Sequence, residues 1–223
     1  MTEFNHIVIY SHGFGVRKDD RGLFTDIAAA LSDTQHIMFD YSQIDEATNN
    51  LTVAPLGKQA KKLSQIIAET KAANPNAIID LICHSQGCVV ACLAKLAGVR
   101  KVVFTGPPAE LSVDHMIRIF AARPGSEINL HGISRLQRTD FSTTIVPQEY
   151  WKSIERIDPI HLYNELAKTI QLTLINATED EIIGNKDFRG LSPEIEVIEI
   201  KTGHNFEGDG RRELVRRLRS ELV

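Results

Sequence analysis

The stretch of this sequence best suited to covalent chemistry is Ile78-Ile79-Asp80-Leu81-Ile82-Cys83-His84-Ser85-Gln86-Gly87-Cys88-Val89-Val90, an apolar run that leads into a serine and out into an Ala- and Leu-containing segment. A strand that turns straight into a helix forces its central residue into a strained backbone conformation. The residues two before and two after must then be small to avoid collision. Cys83 and Gly87 occupy those places. Such a turn projects the Ser85 hydroxyl above the sheet as a nucleophile, and the first helical N–H, that of Gln86, can meet a developing oxyanion. The plainer alternative is that Ser85 only caps a helix. Nucleophilic chemistry needs more than the serine: a base within reach of its hydroxyl and a group that orients the base.

The Ser85 turn resembles the nucleophile elbow of the α/β-hydrolase superfamily, with Cys83 where that family has glycine. Ile7-Val8-Ile9-Tyr10-Ser11-His12-Gly13-Phe14-Gly15 resembles its His-Gly oxyanion loop. That resemblance implies the backbone N–H of Phe14 as second oxyanion donor beside that of Gln86, with His12 structural. Arg21-Gly22-Leu23-Phe24-Thr25-Asp26-Ile27-Ala28 and Met38-Phe39-Asp40-Tyr41 are similar to small bacterial carboxylesterases of the cinnamoyl and feruloyl esterase group, although Ser42-Gln43-Ile44-Asp45 replaces the turn usual there. Leu172 to Ile183 resembles the family's acid loop and implies Asp180 as the carboxylate, with Glu179 and Glu181 as rivals and a solvated acidic turn as the bland reading. Val197 to Phe206 resembles its last strand and histidine loop and implies His204 as general base. The resemblance thus implies hydrolysis of a small-molecule carboxylic ester through an acyl-enzyme on Ser85, with no cofactor and no metal. A thioesterase, an amide or peptide hydrolase with the same three residues, and a non-catalytic binding protein of this fold stay open.

These residues need a scaffold that brings four loops to one edge. Apolar, β-branched runs at His6 to Tyr10, His36 to Asp40, Ile78 to Cys83, Arg100 to Phe104, Ile170 to Asn176 and Ile195 to Ile200 read as six strands. The lack of strict alternation fits strands covered on both faces, hence a mostly parallel sheet. Leu23, Ile27 and Leu31, Leu63 and Ile67, and Leu214, Leu218 and Leu222 recur at four-residue steps and predict helices between and after them. The class is α/β. The resemblance implies strand order 2-1-3-4-5-6, with the family's first two antiparallel strands missing, and puts the two oxyanion loops at the switch point between strands 1 and 3.

More than fifty residues separate Thr105-Gly106-Pro107-Pro108 from the strand at Ile170, far beyond an ordinary crossover. Residues 109–160 are therefore expected to form a helical cap inserted into a single 223-residue domain, with helices around Val113 to Ala122 and Gln148 to Ile157. Tyr150 and Trp151 in this segment either line a substrate pocket or seat the cap on the core.

A hydrophobic content of 43% and a charged content of 24% exclude disordered and fibrous classes. The net charge of -4 gives no long-range attraction to nucleic acid. The Arg211, Arg212, Arg216, Arg217 and Arg219 cluster reads as the solvated face of a C-terminal helix rather than an RNA or lipid site. Cys88 and Cys92 stand at i and i+4, but with no nearby His or second pair they read as core rather than metal ligands. No span is long enough for a membrane and the N-terminus lacks a basic leader, so the expected compartment is the cytoplasm. The sequence carries no signal for an oligomeric state.

Overall fold

The computed structural model describes residues 5–183 and 187–222. In chain order the elements are β1 (His6–Ser11), α1 (Leu23–Ala30), β2 (Gln35–Ile37), β3 (Gln43–Asp45), β4 (Asn50–Thr52), α2 (Leu56–Ala73), β5 (Ile78–His84), α3 (Gln86–Leu93), β6 (Val99–Thr105), α4 (Val113–Ala121), β7 (Ser134–Gln137), β8 (Thr143–Val146), α5 (Gln148–Ile154), α6 (Pro159–Ala167), β9 (Gln171–Ala177), β10 (Glu196–Ile200) and α7 (Asp209–Leu222). The main sheet has the order β2-β1-β5-β6-β9-β10, and all five of its pairings are parallel. This is the 2-1-3-4-5-6 order expected. The second strand ends at Ile37, three residues before the expected Asp40. Asp40 instead leaves the sheet and accepts the Lys18 N–H at 2.7 Å.

Side-chain alternation along the central strands divides the interior into two layers. Ile7 and Ile9 of β1 join Ile79 and Leu81 of β5 on the face covered by α2, α3, α5 and α6. Val8 and Tyr10, with Ile82, Val103 and Ile175, face α1 and α7, where Leu23, Phe24, Ile27, Leu214 and Leu218 are buried. Each central strand is therefore covered on both sides, as its unbroken apolar sequence requires. The arginines of α7 point outward or to the rim. Arg216 and Arg217 pair with Glu213, Arg211 pairs with Asp26, and Arg219 donates to the Ala30 carbonyl. Among the described residues no helix is long and apolar enough to cross a membrane.

Residues 109–160 contain the two expected helices, α4 and α5, and in addition a strand pair. β7 and β8 form an antiparallel hairpin, and β8 pairs in parallel with β4, giving a second sheet β3-β4-β8-β7. Half of this sheet comes from residues 43–52, well before the inserted segment. Its strands are three or four residues long and rich in Gln, Asn, Asp and Thr, so no apolar period announces them.

At the N-terminal edge of the main sheet Asp80 is fully buried and receives Arg100 Nε at 2.9 Å and His6 Nε2 at 2.7 Å. Burial alone would raise its pKa, but the His6 and Arg100 hydrogen bonds outweigh it and hold the carboxyl below its usual range. Asp80→Ala is expected to cost about 3 kcal/mol at pH 7, the low end for breaking a buried pair, because Arg100 keeps contact with water. Since the folded-state pKa is depressed, this contribution is complete above the unfolded value of about 3.9 and is lost as pH falls through the folded value. Urea unfolding of wild type and variant checks both points: the gap should be full at pH 7 and narrow below pH 4.

Candidate active site

The C-terminal ends of β1, β5, β9 and β10 converge, and each delivers one part of the site. β5 runs into α3 through Ser85, whose φ of 54° and ψ of -126° lie where non-glycine residues rarely sit. Such a conformation costs on the order of 1–3 kcal/mol and must be held by its surroundings. Gly87 provides part of the hold: a Cβ there would lie 2.1 Å from the Ser11 carbonyl oxygen, so the first turn of α3 packs directly on the end of β1. Ser11 Oγ donates to the Gly87 carbonyl at 3.0 Å and takes a hydrogen bond from Tyr41 Oη at 2.8 Å, which fastens the two loops together. Cys83, the other neighbour expected to be small, is fully buried within the strand.

His204 and Asp180 face one another from the loops after β10 and β9, with Nδ1 of the imidazole 2.6 Å from Asp180 Oδ2. The other carboxylate oxygen, Oδ1, accepts the backbone N–H groups of Ile182 and Ile183 at 2.9 and 2.8 Å. Burial would raise the Asp180 pKa, yet the His204 hydrogen bond and these amides draw it below the usual carboxylate range. An ionised Asp180 fixes the proton of His204 on Nδ1 and leaves Nε2 as an acceptor. Of the two rivals, Glu181 Oε2 accepts the His204 backbone N–H at 3.1 Å, and Glu179 is exposed and pairs with Lys201 at 3.7 Å. Neither carboxylate touches the imidazole.

Ser85 and His204 line one cavity of about 120 Å³ with Gly13, Phe14, Gln86, Met116, Ile119 and Phe120. Its size is close to the roughly 150 Å³ in which a benzene ring fits. Among the described residues neither Ser85 Oγ nor the backbone N–H groups of Phe14 and Gln86 have a hydrogen-bond partner. Ser85 Oγ and His204 share this cavity without a hydrogen bond between them, and nucleophile–base hydrogen bonds commonly tighten only when substrate is present. His12 lies beneath the loop: its Nε2 accepts the Tyr41 N–H at 3.0 Å, which leaves Nδ1–H to donate to the Gly13 carbonyl at 2.9 Å. Burial holds it neutral.

Two residues near the serine are not signalled by sequence. Asp20 Oδ2 accepts the Gly13 N–H at 2.8 Å and so fixes the loop after β1. Its carboxyl is buried and pushed up from its ordinary value by desolvation. It comes from Arg17-Lys18-Asp19-Asp20-Arg21, a charged run that reads as plain surface. His84 packs against the His204 ring at 4.7 Å, centroid to centroid, with the planes tilted by 41°, and burial together with that neighbour holds it well below the usual histidine range. A neutral His84 places no competing charge beside an imidazolium at His204.

Tyr150 and Trp151 are both buried, and neither lines the cavity. The Tyr150 hydroxyl donates to Gln86 Oε1, and Gln86 Nε2 donates to Gln59 Oε1 at 3.2 Å, so the tyrosine braces the residue after Ser85 from below. Trp151 Nε1 donates to Ser134 Oγ at 3.1 Å and seats α5 on β7. Among the described residues no cluster of His, Cys, Asp and Glu is arranged to hold a metal ion.

No protein-family profile and no curated protein sequence matches the chain. Solved structures do. The esterase domain of a Rhodothermus marinus protein superposes with a TM-score of 0.67 at 16% identity, over 99% of this chain and 87% of that one. Est1E from Butyrivibrio proteoclasticus, solved with ferulic acid bound, gives 0.71 at 15% identity, over 97% and 88%. The α/β-hydrolase GrgF from a Penicillium species gives 0.69 at 16%, over 98% and 89%. The chain has the α/β-hydrolase fold.

Proposed function

We propose that the protein is a serine hydrolase that cleaves a carboxylic ester of a small molecule. The observation that carries the proposal is the Ser85 turn opening into the same cavity as the His204–Asp180 pair, with two unpartnered backbone N–H groups beside it. In this reading Ser85 Oγ attacks the ester carbonyl carbon while His204 Nε2 takes its proton, and the C=O electron pair moves onto oxygen. The Phe14 and Gln86 N–H groups stabilise that oxyanion. Collapse of the intermediate breaks the bond to the alcohol, which leaves with the proton held by His204. Water, deprotonated by the same nitrogen, then attacks the acyl-enzyme and releases the acid. Asp180 holds the imidazole and stabilises its protonated form. The solved structures named as esterases or as an α/β-hydrolase support ester hydrolysis as the reaction class. The three thiols, all unpaired, agree with action in the reducing cytoplasm.

Relative kcat/KM on short 4-nitrophenyl esters, acyl-CoA thioesters and aminoacyl amides tests the bond cleaved. Fastest turnover on the oxygen esters is expected; a preference for thioester or amide would assign the same residues to the other reaction.

A further inference from the structure

The wall of the cavity carries three arginines, Arg21, Arg123 and Arg138, and among the described residues none of them forms an ion pair with a carboxylate. Arg138, from the turn after β7, is the deepest. Its guanidinium lies 6.0 Å from the Phe14 ring centroid and 5.4 Å from that of Phe120, its Nη2 donates weakly to the Phe14 carbonyl at 3.4 Å, and its Nε is buried without a partner. Arg123 stands 4.7 Å from the centroid of the same Phe120 ring and gives Nη1 to the Gln137 carbonyl. Burial first, and then the proximity of Arg21 and Arg123, bring the Arg138 pKa down to about 10, so the group stays cationic at neutral pH at a cost that the smaller attractions of Asp140 and Asp20 offset only in part.

The acidic groups of this region accept their hydrogen bonds elsewhere or face solvent, and Asp140 and Asp20 act on the arginines only at longer range. Asp20 directs Oδ2 to the Gly13 N–H, Asp140 directs Oδ1 to the Ser142 N–H and hydroxyl at 3.0 and 2.6 Å, and Glu110 is exposed at the rim. A planar guanidinium with free N–H groups, desolvated beside aromatic rings, matches the geometry of a carboxylate. The loop that carries the oxyanion donor also links the two groups. A Cβ on Gly13 would lie 3.6 Å from Ser85 Oγ, and one on Gly15 would lie 3.4 Å from Arg138 Nη1. Two residues of backbone span at most about 7 Å, so the serine and the guanidinium flank one short stretch of the cavity wall.

We propose that this cavity selects esters whose acyl group bears a carboxylate, with Arg138 as the principal anion ligand and Arg123 and Arg21 supporting it. The proposal rests on the serine-hydrolase reading and deepens it by assigning the substrate's charge.

The test compares mono-4-nitrophenyl adipate with 4-nitrophenyl 6-methylheptanoate, in which an isopropyl group replaces the carboxylate. Wild type should favour the anionic ester at least tenfold in kcat/KM. Arg138→Met should reduce that ratio at least tenfold and Arg123→Met by a smaller factor, whatever happens to the rate common to both esters. Equal or slower turnover of the anionic ester, or a preference that survives both substitutions, would overturn the proposal. Should Arg138→Met fail to fold, the more peripheral Arg123→Met and competitive inhibition of wild type by free adipate, against none by dimethyl adipate, carry the same comparison. If neither ester is hydrolysed the ester-hydrolase reading fails by itself. Calorimetric binding of monomethyl adipate over dimethyl adipate, lost in Arg138→Met, would then still support the anion site, and equal binding of the two would reject it.

Discussion

Ser85→Ala is expected to lower kcat on a short ester by about 10⁵- to 10⁶-fold while leaving the melting temperature unchanged or slightly raised. The rate effect is large because removing the nucleophile deletes the covalent route and leaves only what the oxyanion donors and binding can supply. The stability effect is small because Ser85 Oγ has no hydrogen-bond partner in the folded protein and contributes little packing. The backbone strain at φ 54° is carried by alanine as it is by serine. Steady-state kinetics on purified protein, with a calorimetric melt of the same sample, measures both. Retention of more than about one percent of wild-type kcat, against the collapse expected when a nucleophile is lost, would remove Ser85 from the reaction.

The second large effect is at the carboxylate. Asp180→Asn should lower kcat by about 10⁴-fold, because an amide can present N–H to His204 and stabilise the wrong tautomer, and it cannot balance the imidazolium. Glu181→Gln should be much milder: its carboxylate holds the backbone N–H of His204 rather than the ring, and a glutamine oxygen can still accept there. Glu179→Gln should be close to wild type, since among the described residues its ion pair is an exposed one to Lys201. Parallel kinetics of the three variants separates an orienting carboxylate from an acidic loop in which any one charge suffices. Equal losses in all three would favour the second.

What could be read from the sequence is what long apolar runs mark. The strands containing Val8, Leu81, Val103, Leu174 and Ile198 are continuous enough to be found, and once their order is fixed the loops that follow them must share an edge. The resemblance supplied that order and nominated Ser85, Asp180 and His204, far apart in the chain, and the shared edge is where Asp180 and His204 meet at 2.6 Å. The second sheet was hidden because Gln43–Asp45 and Asn50–Thr52 are too short and polar to show a period, and Asn50–Thr52, the partner of Gln43–Asp45, is joined to the rest of the sheet by a segment about ninety residues later. The direction of Tyr150 and Trp151 was undecidable for a related reason. α5 has seven residues and buries Tyr150, Trp151 and Ile154, so aromatic character announced burial without saying against what. Asp20, Arg123 and Arg138 lie in charged, loop-like sequence, where a solvated residue and a buried one look alike until the fold turns them inward.

The central claim is that Ser85 is a nucleophile activated by His204, and its most direct test is covalent labelling with a fluorophosphonate probe followed by mass-spectrometric location of the adduct. The account predicts a single stoichiometric adduct on Ser85 of the wild-type protein, none on Ser85→Ala, and a labelling rate reduced by several orders of magnitude in His204→Ala, because the base that takes the hydroxyl proton is gone. An unlabelled wild-type protein, an adduct on another residue, or labelling of Ser85 at an unchanged rate without His204 would contradict it.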